Sequence, residues 1–109
     1  MISLTAVVRP AHDVGSYVLR DVSARLREFD HVLCAPGQIL VTVPQLGTAL
    51  LTESRTLLTV HIMTSTEDAA ARACAALLRE LRNAVGSVAA SRDLSVGWTR
   101  EEVGVTARF

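Results

Sequence analysis

His61, His31, His12, Cys34 and Cys74 are the side chains in this 109-residue chain best suited to acid–base, nucleophilic or metal chemistry. His61 lies inside the apolar run Leu57 to Met63 and is the only ionisable group on its face of that run. Two roles fit it. One is an acid–base or ligand-contacting histidine in a cleft between two sheets. The other is an interface histidine hydrogen-bonded to a threonine. The second is favoured, because no catalytic partner falls on the same face. Cys34 follows His31 by three residues and precedes Ala35-Pro36-Gly37, and a thiolate nucleophile needs a base of that kind nearby. His12-Asp13 would need further ligands to hold a metal, and no His, Cys, Asp or Glu cluster has ligand spacing, so a capping or surface pair is expected. Gly37 and Gly47 are isolated and open no helix, so a phosphate loop is missing, as is a GxSxG elbow. These residues predict no catalytic set, no metal and no cofactor.

The composition narrows the function classes. A chain of this length is one domain. Half of it is apolar, enough for a small core. The formal net charge is zero, which lacks the basic footprint of a nucleic-acid binder and gives no attraction to an anionic membrane surface. All eleven basic residues are Arg, and Ala and Val far outnumber Ile; this is the codon bias of a GC-rich bacterial genome. An Arg here therefore need not signal bidentate anion binding. The start, MISLTAVVRP, has no charged region and too short an apolar run for a signal peptide. No apolar stretch approaches the ~20 residues that span a bilayer. Cys34 and Cys74 lack CxxC spacing and read as reduced, buried thiols of a cytoplasmic protein.

The elements that must position these groups are legible as periodicities. Residues 2–8 alternate as a strand ended by Arg9-Pro10. From Val14 to Phe29 the apolar positions Val14, Val18, Val22, Leu26 and Phe29 recur every three or four residues, which predicts a helix capped by Asp13. The runs 31–34 and 39–43, around the turn Ala35-Pro36-Gly37-Gln38, predict a hairpin or one broken strand. Residues 45–56 fit either a short helix or an extra edge strand. Residues 56–63 form the central strand. Thr64 with Glu67, or Ser65 with Asp68, makes a capping box for a long helix ending at Gly86. Its apolar stripe is Ala70, Cys74, Leu77, Leu78, Leu81 and Val85. After a connector at 87–93, residues 94–98 read as a strand. Residues 99–102 read as a solvated hairpin tip, and 103–109 as the end of a bent strand or hairpin.

The order is β-α-β-β-α-β, which predicts a ferredoxin-like α+β domain with an antiparallel sheet, two helices on one face and an extra C-terminal hairpin. By alternation the other face carries Ser3, Thr5, Val7, Leu40, Thr42, Leu57, Thr59, His61, Met63, Ser95 and Gly97. A half-apolar exposed face meets a partner. A homodimer through that face or an edge is the economical solution. His61, Thr59, Met63, Thr5 and Thr42 are the candidate ligand or interface residues.

The run VLRDVSARLREFDHVLCAPGQILVTVP (18–44) resembles the helix-hairpin core of GGDEF-type nucleotide cyclase domains. Asp30 stands for that family's Asp, the turn Pro36-Gly37-Gln38-Ile39 stands where GGDEF would be, and Leu94 to Trp98 resembles a later strand of the family. Strand one ends Val8-Arg9 without an Asp, and the turn has no Asp-Glu, so the family's metal-binding acids are missing. The resemblance therefore implies a ferredoxin-like fold without cyclic-dinucleotide synthesis. ACT-like regulatory domains and dimeric α+β barrels share the element order. The expectation is a non-catalytic dimeric binding or regulatory domain, with a small molecule or protein as partner. The alternative is a dimeric α+β barrel enzyme or small-molecule binder with His61 in a pocket on the open face.

Overall fold

The computed structural model describes residues 1–11, 17–86 and 93–102. Among these residues, six strands and two helices follow in the order β1 (Ile2–Pro10), α1 (Tyr17–Leu26), β2 (Asp30–Ala35), β3 (Gln38–Val43), β4 (Gly47–Glu53), β5 (Leu58–Thr64), α2 (Glu67–Val85) and β6 (Leu94–Glu102). They build one α+β structure: a six-stranded sheet in the order β2-β3-β4-β5-β1-β6, antiparallel at every pairing.

Strict alternation makes the sheet two-faced. Ile2, Leu4, Ala6 and Val8 of β1, Ile39, Val41 and Val43 of β3, Ala49 and Leu51 of β4, and Leu58, Val60 and Ile62 of β5 are all buried. The core is this face plus Val18, Leu19, Val22 and Leu26 of α1 and Ala70, Ala73, Ala76, Leu77 and Leu81 of α2. The two helices pack on each other and on β1, and α2 also packs on β5. Ala70, Ala73 and Ala76 have no bulk, so α2 lies close to the strands beneath it.

Several expectations change. The segment 45–56 supplies β4, an interior strand between β3 and β5, not an edge strand or a helix. The sheet therefore has six strands, where a β-α-β-β-α-β chain supplies four. Leu46, Ala49 and Leu51 point into the core, which accounts for the segment's apolar content. Residues 31–43 do form a hairpin, and Gly37 sits at φ +76 in its two-residue turn. There Gly37 accepts the Glu53 N–H at 2.7 Å. Strand β1 runs through Pro10, which lies past the last β1–β5 pair and faces only Leu94 of β6, and Ala11 N–H continues the contact to the Asp93 carbonyl at 2.8 Å. Helix α1 ends at Leu26, three residues early, in i→i+3 bonds from Glu28 and Phe29. The expected cap Asp13, with His12, lies outside the described residues, as do 103–109 and the C-terminal hairpin they were to form. Residues 99–102 are not a hairpin tip: they continue β6 opposite Thr5, Leu4, Ser3 and Ile2.

The cap of α2 also moves. Thr64 stays in the sheet opposite Ile2, and Thr66 is the N-cap, with its hydroxyl accepting from Ala69 N–H at 3.1 Å. Gly86 closes the helix at φ +87, as the sequence predicts. The buried stripe is rotated from the expected one: Ala73, Ala76 and Glu80 are inside, whereas Leu78 is exposed. Replacing Thr66 with Ala removes the one side-chain acceptor at this end. Thr66→Ala is expected to lower unfolding free energy by about 1 kcal/mol in a denaturant titration, with an unchanged slope.

Candidate functional site

The uncovered face of the sheet has one continuous row across all six strands. Val32 of β2 pairs with Leu40, Leu40 with Leu50, Leu50 with His61, His61 with Thr5, and Thr5 with Thr99. His61 stands near its middle. Its Nδ1 is 3.0 Å from Thr5 Oγ1 and its Nε2 is 3.4 Å from Ser3 Oγ. A neutral imidazole donates from one nitrogen and accepts at the other, so two hydroxyls satisfy it in either tautomer. Both partners are neutral. To act as a base toward a ligand, the ring would first have to give up one of these bonds.

Of the five candidate residues, four come together. Thr5 bonds His61 across β1 and β5, and Thr59 and Met63 flank His61 two residues away on the same face. Thr42 does not join them. It is two strands away on β3, where its hydroxyl is 3.4 Å from that of Thr48. Leu57, expected on this face, precedes β5 and lines a cleft beside α1 instead. Ser3, Leu50 and Thr99 belong to the His61 neighbourhood through the sheet register, and only the pairing across strands brings them there.

The apolar members of this face are open to solvent: Val32 is 63% exposed, Met63 49% and Leu40 38%. Among the described residues of this face, charge is confined to the margins, at Arg9, Asp30 and Glu101. Among the described residues, His61 lines none of the three best-formed clefts. One of about 290 Å³ lies between α1 and the turn after β4. A second, about 450 Å³, is bounded by Phe29, Asp30 and Thr42, and a third, about 390 Å³, by Leu46, Met63 and Arg72.

The other reactive groups are separated. His31 Nδ1 is 3.0 Å from the Phe29 carbonyl, and the Cys34 thiol donates to the Val32 carbonyl at 3.8 Å, so the two side chains do not engage each other. Both cysteines are free. Cys34 is exposed, contrary to the buried thiol expected, because β2 is an edge strand that neither helix covers. Cys74 is half-buried, and burial pushes its thiol pKa up. Glu67, at the first turn of α2, is paired with Arg100 of β6, and this hydrogen bond holds its carboxyl below the usual range. Among the described residues, no three His, Cys, Asp or Glu side chains are grouped to hold a metal, and no helix is long and apolar enough to cross a membrane. Trp98, on edge strand β6, is 36% exposed, and Asp30, the residue matched to the GGDEF-type Asp, is exposed at the start of β2. Compared with models of known protein families, with curated proteins and with solved structures, the chain matches none.

Proposed function

We propose that this chain is a non-catalytic binding or regulatory domain that works as a homodimer, with the open sheet face as the contact surface. On this reading the fold is a ferredoxin-like layout enlarged by two strands. β5 and β6, joined by α2, flank β1, and the β2–β3 hairpin extends the far side of β4. The observation that carries the proposal is the uncharged interior of the open face. Ser3, Thr5, Val7, Leu40, Leu50, Thr59, His61 and Met63 form its centre, while Arg9, Asp30 and Glu101 stand at its rim. An apolar or neutral centre with a charged rim is the anatomy of a protein interface, not of a solvated sheet.

The size is adequate. Five inter-strand spacings of about 4.8 Å and about seven residues at about 3.3 Å give a footprint of roughly 550 Å². That is the same order as the ~800 Å² of accessible surface that each partner contributes to a standard interface. In this reading His61 keeps its bonds to Thr5 and Ser3 and serves contact specificity. Light scattering on the eluting protein is expected to give twice the chain's 11.7 kDa. A mass of one chain at high concentration would overturn the proposal.

A further inference from the structure

The geometry points to a second binding site, for a small anion with a short apolar tail, in the cleft of about 290 Å³ between α1 and the β4–β5 turn. It lies on the helix side of the sheet, because Glu53 in its wall shares the alternation of Ala49 and Leu51. The site is therefore independent of the open face and stays accessible in a face-to-face dimer.

Two guanidiniums, Arg20 of α1 and Arg55 of the turn, line this cleft. Both are exposed, and neither has an ion-pair partner among the described residues. The one carboxylate in the wall does not neutralise them. Glu53 is already engaged by Arg27 at 2.6 Å and by the buried Ser23 hydroxyl, which donates to it. The cleft thus keeps two guanidiniums outside any ion pair among the described residues. Leu19, Leu57 and Leu58 supply its apolar wall, and Ser54 also lines it.

The turn that carries Arg55 is held in place. Ser54 N–H donates to the Leu57 carbonyl at 3.0 Å, and Ser54 Oγ accepts from Leu57 N–H at 3.2 Å. Fixing the turn fixes where Arg55 starts, so less ordering is needed when an anion is bound. Guanidinium groups above an apolar floor suit a carboxylate or similar oxyanion whose tail leaves water.

The test is an amide-shift titration of the full chain with hexanoate, hexylammonium and inorganic phosphate. Hexanoate is expected to shift Arg20, Arg55, Leu57 and Leu58, and hexylammonium to leave them in place. The double variant Arg20→Ala/Arg55→Ala is expected to weaken hexanoate binding about tenfold or more, from the loss of two charge-assisted contacts. Arg20→Lys/Arg55→Lys, which keeps the charge, is expected to retain part of it. Equal shifts with hexylammonium, no shifts with hexanoate, or unchanged affinity in the double Ala variant would each overturn the site. Phosphate binding as tightly as hexanoate would overturn the part assigned to Leu57 and Leu58.

Discussion

Leu77→Ala is expected to cost about 3 kcal/mol of unfolding free energy, which in a domain of this size lowers the melting temperature by roughly 10–20 °C. Leu77 is fully buried on α2, at the level where that helix meets the sheet. Its neighbours one helical turn away on the same stripe are Ala73, Glu80 and Leu81. Ala73 has no bulk to move into the space left, and Glu80 is held by an ion pair. The hole therefore stays open, and a cavity penalty adds to the lost transfer energy. Met63→Ala is the matched control. Met63 stands in β5 on the opposite face and is 49% exposed. Measured at concentrations where the chain is a monomer, it should change stability by less than about 0.5 kcal/mol. Equal losses for the two variants would mean that the helices do not cover the face assigned to them.

Arg25→Ala is expected to cost about 2–3 kcal/mol, through a charge left buried on the other helix. The Glu80 side chain is only 6% exposed, and Arg25 Nε reaches its carboxylate at 2.9 Å from α1. Arg79, the next cation, is 3.8 Å away and is itself on the exposed side. Arg25 also lies 5.4 Å from the centre of the Phe29 ring and 3.4 Å from Glu28. Its own side chain is 32% exposed, so water reaches one end of the pair and the cost stays below that of a sealed ion pair. The double variant Arg25→Ala/Glu80→Leu should recover most of the loss, because no unpaired charge remains. A double variant as unstable as Arg25→Ala alone would show that the packing of the arginine stem, not the charge, holds the two helices together.

How far the fold was legible depended on the element. Val60 and Ile62 alternate with His61 and Met63, and the structure buries one pair and exposes the other. Gly86 announces the end of α2 because a side chain is strained at its positive φ. The segment 45–56 leaves helix and strand both open in the sequence because a positive-φ Gln45 and a Gly47 make the turn into it, and neither is a sequence signal as strong as Asn-Gly. The cap falls one residue past Ser65 and two past Thr64, and Thr64 is claimed by its ladder with β1, a contact 62 positions away in sequence. Leu78 stands in the expected apolar stripe beside Leu77, but the helix turns it outward. Glu80 lies at core spacing after Ala73 and Leu77, and its buried carboxylate could have been suspected from that position, though its partner Arg25 could not.

The site followed the same rule. Alternation alone placed Thr5, Thr59, His61 and Met63 on one face. The bond from Thr5 to His61 needed the β1–β5 register, and the cleft of Arg20 and Arg55 needed α1 to lie beside the turn after β4. Both are long-range facts that no local pattern encodes. The exposure of Cys34 likewise depended on which strand ended at the edge.

The central claim is that the open sheet face joins two copies of this chain. Light scattering on Leu50→Arg beside the wild-type chain tests it most directly. Leu50 is half-buried in the middle of that face, paired with Leu40 on one side and His61 on the other, and it touches no helix-side core residue by alternation. An arginine there folds normally but sets two like charges in the centre of a symmetric contact, which costs several kcal/mol. The account predicts twice 11.7 kDa for the wild type and a single chain for the variant, with unchanged circular dichroism. A wild-type monomer, or a dimer that Leu50→Arg leaves intact, would contradict it.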